Sequence, residues 1–321
     1  MVVLSEKLPE PIANFIPLKR AHKANSTMPV VVHLWGIDGK PSVISPESLA
    51  LYWFLNGFYV EQEKVVIVFS NNTDLSPNAE LPLLIDGEVK VCSYPDIVGY
   101  LSSKDDLLET ALLQFTATRI STLTQYQLYL NKHNYESFTR KIFSHLLYWP
   151  LWYNTPLHYR RVAREKCASL AYIKNEDDEE YTDEGLANTS DLVQSKVLRI
   201  AQAQKSRQKE LLEQAKCNLQ YLNKLDDALE KWNKVRTELD ESINATDLLL
   251  LANIHVQLEL PDGDHIRKHL KDKFGDAFYQ RINSQLSSVA EPTPNVKQRP
   301  PTFQESGNAL MSLYYFTRRF V

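Results

Sequence analysis

The chain has 321 residues, enough for two domains with separate hydrophobic cores. Its 43% hydrophobic and 24% charged content is that of a soluble globular chain. A net charge of -4 argues against a nucleic-acid binder, which usually has a strongly basic domain or stripe, and nine glycines leave few places for a phosphate-cradling loop.

Cys92, Cys167 and Cys217 are odd in number and far apart, with no CxxC pair. They read as reduced thiols rather than a zinc site or a disulfide framework. No run reaches the ~18 uninterrupted apolar residues of a spanning helix; the richest, 146–153 and 248–254, are too short. Residues 1–27 carry Glu6 and Glu10 among their basic residues, which a cleavable transit peptide avoids. They read as a flexible arm, with Met28 as an alternative start.

Residues 28–103 have an α/β pattern. The β-branched run Pro29–Leu34 predicts a buried strand, broken by Gly36, Asp38, Gly39 and Pro41. Ser45-Pro46 then opens a helix through the aromatic run to Tyr59. Lys64–Ser70 predicts a second strand. Asp86-Gly87 between the runs 81–85 and 88–92 is a strong hairpin signal, and Tyr94–Leu101 reads as a short helix capped by Ser93. Strand, helix, strand, hairpin, helix is the thioredoxin arrangement. That likeness implies a cis bond before Pro82, where a strand tolerates the missing N–H.

Residues 104–290 read as helical. Leu107, Leu108, Ala111, Leu112, Phe115, Thr118 and Ile120 recur at helical spacing along 105–129. Further helices are expected over 135–147, ended by Pro150, and over 157–173, basic at Arg160, Arg161 and Arg164. Glu176–Glu180 reads as a solvated acidic loop within 174–189, because adjacent like charges resist packing. One apolar seam predicts a helix over 191–241, roughly 60–70 Å long at ~1.5 Å per residue. It either outruns its domain or kinks near Ser206; a self-pairing coiled coil is the alternative. Asn244 to Asp247 caps a very apolar helix, 248–260, in the manner of the central helix of transferase C-terminal domains. A single helix is expected over 264–286. Residues 291–308 form a linker too proline-rich for regular structure, and 309–321 an apolar C-terminal segment.

The segments HLWGIDGKPSVIS (33–45), VFSNNTDLSPNAELPLLIDG (68–87), LLYWPLWYNTPL (146–157) and DLLLLANIHVQLELPDG (247–263) resemble the fungal metaxin family. The resemblance covers residues 28–321. It implies a glutathione-transferase-like fold, a thioredoxin-like domain followed by a helical one with a very long helix. It also implies a peripheral place on the cytosolic face of the mitochondrial outer membrane. The family's partners would be the β-barrel core subunit and a second metaxin-like subunit of the sorting and assembly machinery, and the import translocase. β-barrel precursors would be handled indirectly. Two rivals remain at this stage, a residual glutathione-dependent transferase or peroxidase and a cytosolic transferase-like scaffold.

The residues speak against catalysis. A glutathione transferase needs a hydroxyl or thiol near the end of its first strand, and none occurs from His33 to Asp38. It also needs a small anion-binding pair at the helix after the hairpin, where Ser93 and the bulky Tyr94 stand. No catalytic, cofactor or metal residue is assigned. His265 and His269 are four apart but lack the Glu of a zinc-protease motif, and Asp177 to Glu180 lacks the spacing of a calcium loop.

The candidate interface is Trp149, Pro150, Trp152 and Tyr153, with Arg160 and Arg161 beyond. These aromatics form either a core at a helix corner or an exposed platform for the barrel subunit or the lipid headgroup layer. One tryptophan in the core and one at the interface is the expectation, in an order the sequence leaves open.

Overall fold

A computed structural model describes residues 29–102, 106–168, 196–239, 242–290, 295–307 and 310. The N-terminal arm, the acidic loop at 174–189 and almost all of the C-terminal segment lie outside the described residues. The chain divides into two compact units. The first takes the described residues up to Ser42, Glu47–Leu107 and those after Pro292; the second takes Val43–Pro46 and Leu108–Glu291.

The first unit is built on a mixed sheet. Strand β1 (Val30–His33) is followed by a small hairpin of β2 (Gly36–Ile37) and β3 (Lys40–Pro41), then helix α1 (Pro46–Gly57). Strands β4 (Val65–Val68), β5 (Leu83–Asp86) and β6 (Val89–Cys92) precede helix α2 (Tyr94–Leu101). β1 pairs with β4 in parallel and with β5 antiparallel, and β5 turns into β6 at Gly87, whose φ is 61°. The strongest local signals, a β-branched run and Asp-Gly, lie where the sheet forms. The Leu81–Pro82 peptide is cis, as is Trp149–Pro150.

The segment expected to lack regular structure contains a strand. β7 (Lys297–Arg299) lies parallel to β4, giving the order β6-β5-β1-β4-β7. Its side chains are polar and it is flanked by prolines, so no apolar alternation marks it. It is held by its surroundings instead. The Asn56 side-chain oxygen accepts from the backbone N–H of Asn295 (3.0 Å) and Val296 (3.1 Å), and Val296 is buried. Arg299 makes two 2.6 Å bonds to Glu305.

The second unit is helical among its described residues. A run from Leu107 to Leu130 comprises α3 (Leu107–Phe115), a π-helical stretch, α4 (Ser121–Gln125) and a second π-helical stretch. Its buried face is Leu112, Leu113, Thr116, Ile120 and Leu123; Leu107 and Thr118, expected inside, are exposed. π turns rotate the face relative to a 3.6-residue period, which shifts the stripe. A second run, Lys132 to Leu146, comprises α5 (Lys132–Asn134), a third π-helical stretch and α6 (Arg140–Leu146).

Helix α7 spans Leu151–Cys167 and begins six residues before the expected start, running through Pro156. Pro156, the sixth residue of the helix, gives up one intrahelical bond there. Helix α8 (Lys196–Arg236) is continuous for 41 residues, about 60 Å at ~1.5 Å per residue. Tyr221, Leu225, Leu229 and Trp232 are buried, whereas Leu211, Leu212 and Leu219 are exposed. Its buried positions thus begin at Tyr221, and the described leucines just before that point are bare.

Helix α9 (Ala245–Glu259) is buried along nearly all its length. Asn244 and Asp247 form a capping box, and Asp247 also takes a two-pronged bond from Arg236, at 2.7 and 2.9 Å. Its buried polar side chains are satisfied across helices. Asn253 bonds Ser121 and Thr124, and Gln257 donates to Thr124. The expected single helix after it is two, α10 (Gly263–Phe274) and α11 (Asp276–Val289). The break is Gly275, whose φ of 82° suits glycine and ends the first helix.

Candidate functional site

Two places bear on function, one in each unit. The first is where a transferase would hold glutathione. β1 ends at His33, which is 1% exposed, with Nδ1 unpartnered and Nε2 4.0 Å from Glu305. Burial lowers the His33 pKa to about 4, against the pull of Glu305, so the ring is neutral near neutral pH. Hydrogen bonds from Arg299 hold the Glu305 carboxyl down at about 2.

The turn after β1 is filled rather than open. Trp35 is buried, and its backbone N–H reaches Ser48 Oγ at 3.3 Å. The Asn71 side chain closes two 2.9 Å bonds on the backbone of Gly36. A Cβ at Gly36 would stand 2.2 Å from Phe69 Cδ1 and 2.3 Å from Lys40 O. No nucleophile projects from this turn, and nothing larger than glycine fits its middle.

At the other half of the supposed site, Ser93 caps α2 with a φ of 73°, and its hydroxyl donates to Asp96 at 2.9 Å. Tyr94 is completely buried. Its backbone N–H, at the positive end of the helix, donates to Glu47 Oε2 at 3.0 Å. The helix terminus thus receives a carboxylate from the chain itself. Sequence reasoning noted the bulk of Tyr94 but missed Glu47, whose only visible mark is its place in the first turn of α1.

Burial pushes the Cys167 thiol up to about 12 and raises Cys217 as well. Cys92 Sγ lies 3.3 Å from Ser76 Oγ. His269 Nε2 lies 2.9 Å from Asp226, while His265 is exposed, so the pair is not joined at one site. Among the described residues no three His, Cys, Asp or Glu side chains converge to hold a metal. The acidic run 176–180 lies outside the described residues.

The second place is the corner between α6 and α7. Leu146 and Leu147 are buried, then Tyr148 and Trp149 emerge at 76% exposure each. Pro150 and Trp152 are half-buried, and Tyr153 is 49% exposed. The Trp152 and Tyr153 rings meet edge to face at 6.0 Å, and the Arg140 guanidinium lies 5.9 Å from the Tyr153 centroid. Arg160 turns inward over Tyr135 at 4.8 Å, whereas Arg161 is exposed beside His158. The rings that anchor the corner are Tyr129, Phe143 and Tyr159, in stacked pairs at 5.6 and 6.0 Å. The candidate residues are therefore split: Trp149 and Tyr153 face solvent, Trp152 bridges, and Arg160 braces the interior.

The described residues thus give a small mixed sheet and a set of helices, and none of the predicted groups is brought together into a metal centre among them. Two family models match the chain: Tom37, described as an outer mitochondrial membrane transport complex protein, over residues 48–160, and the Tom37 C-terminal domain over 174–320. Together they cover about four fifths of the chain, which belongs to the Tom37 family of outer mitochondrial membrane transport complex proteins. No curated protein matches it. No helix among the described residues is long and apolar enough to cross a membrane.

Proposed function

We propose that the chain is a non-catalytic subunit of the sorting and assembly machinery, peripheral on the cytosolic face of the mitochondrial outer membrane. There it supports insertion and assembly of β-barrel proteins and links the machinery to the import translocase. Its direct partners are the barrel core subunit and a second metaxin-like subunit. Family membership supplies the membrane and the transport complex. The observation that carries the non-catalytic reading is the Glu47 carboxylate on the Tyr94 N–H.

We read the fold as transferase-like. What supports that reading is the parallel β1–β4 pair, the antiparallel β5–β6 hairpin and the helical second unit. In such a fold the terminus of α2 would receive the substrate carboxylate. Here an internal acid occupies it and a buried tyrosine stands beside it. We read residues 28–103 and 104–290 as the two domains of that plan, one of them completed by β7.

The test is recovery of partners. The tagged chain, purified from mitochondria in mild detergent, should bring down the barrel core subunit and the second metaxin-like subunit. A preparation holding neither would sink the proposal.

A further inference from the structure

We propose that the α6–α7 corner docks on an anionic lipid surface, with Tyr148, Trp149 and Tyr153 entering the headgroup layer and the cations beside them meeting lipid phosphates. The inference goes beyond the assembly role and does not depend on which precursors the complex handles.

Two observations coincide at the corner. The first is an aromatic cluster turned outward: Tyr148, Trp149 and Tyr153 are exposed, and Leu157, one turn along α7, is 44% exposed. The rest of the local aromatic set is packed. Tyr135 and Phe143 are buried, and Tyr159 stacks on Tyr129 and Phe143. The outward rings are thus not leftovers of an unfilled core. Tyr and Trp, apolar bodies with a polar tip, favour the boundary between headgroups and acyl chains.

The second observation is charge. From Arg140 to Ala168 the chain carries six Lys or Arg and one acid, Glu165, although its net charge is -4. Positive charge is concentrated on the two helices that meet at the corner. Arg140 lies against the Tyr153 ring, and Lys141 and Arg161 are exposed. Exposed rings flanked by cations complement an anionic leaflet, where each nearby cation contributes roughly fivefold in partitioning. A protein partner would need an acidic, aromatic-accepting surface, and nothing in the chain specifies one.

The test uses the full chain and vesicles of phosphatidylcholine, with or without phosphatidylglycerol, in a sedimentation assay. The wild type should pellet with the anionic vesicles and much less with the neutral ones, and salt should weaken the binding. Tyr148→Ala with Trp149→Ala should lower partitioning at least about tenfold while leaving the melting temperature near the wild-type value. Lys141→Glu with Arg161→Glu should lower it roughly fivefold for each cation and leaves the rings in place, so it tests the charge separately. Equal binding of wild type and both variants, or no preference of the wild type for anionic vesicles, overturns the proposal. So does a ring variant that binds vesicles normally but loses the barrel core subunit in detergent, which would make the corner a protein interface.

Discussion

Trp149 and Trp232 sit in the same unit yet answer to different solvents. Trp232 is 5% exposed and its indole N–H donates to Thr116 at 3.1 Å. Trp232→Ala should therefore cost about 3–5 kcal/mol, a large part of a domain's total of roughly 5–15 kcal/mol. Trp149→Ala should stay within about 0.5 kcal/mol. Paired thermal melts check both, and a severe loss from Trp149→Ala would mean that its ring is packed. The sequence puts Trp232 on the apolar seam of the long helix and Trp149 and Trp152 at a helix corner, but it does not order the last two, because tryptophan suits cores and wet interfaces alike.

His33 gives a pH signature at the same scale. Its folded pKa, about 4, lies below its ordinary 6.5. Between those values the unfolded chain binds the proton and the folded one does not, so stability falls as the pH drops through that window. Burial is the main cause; Arg299 and Lys90 act in the same direction, and Glu305 opposes them. Glu305 adds a second loss at lower pH. Its folded value of about 2 lies below 4.5, so the stability it contributes fades from about 4.5 down to about 2. His33→Asn should flatten the melting temperature between pH 6.5 and 4 relative to wild type. An unchanged slope would show that another group titrates there.

Among the elements, α9 depends on its N-terminus. Asn244→Ala removes one half of the capping box and should cost about 1 kcal/mol. Asp247→Ala removes the other half and takes the carboxylate from Arg236, which is only 14% exposed and keeps its bond to the Ser242 carbonyl, so about 3 kcal/mol is expected. Denaturant titration of the two variants should reproduce that order, and equal losses would contradict it.

The contrast explains which elements were legible. β1, β4, the Asp-Gly hairpin and the capping box carry local signals, and all appear within a few residues of where those signals lie. β7 has no local signal, because Lys297–Arg299 is polar and its pairing with β4 is fixed by residues about 230 positions away. The start of α7 was hidden by Pro156, and the break between α10 and α11 by a glycine that a continuous pattern would tolerate. The candidate site follows the same rule. The absence of a nucleophile after β1 can be read from His33 to Asp38, but the Glu47–Tyr94 bond joins residues 47 positions apart.

For the whole molecule, the proposal of a non-catalytic subunit rests on the Glu47 carboxylate bonded to the Tyr94 N–H. Calorimetric titration with millimolar glutathione should give no saturable heat. Glu47→Gln should not restore binding, because Tyr94 remains buried at the same terminus. Saturable binding to either protein would reopen the enzymatic reading.

The proposed assembly role is tested most directly in mitochondria depleted of the chain and given a radiolabelled β-barrel precursor, with products followed by native electrophoresis. The account predicts that the precursor is imported but accumulates unassembled, and that adding back the chain restores the mature complex. Assembly at the wild-type rate and yield without the chain would contradict it.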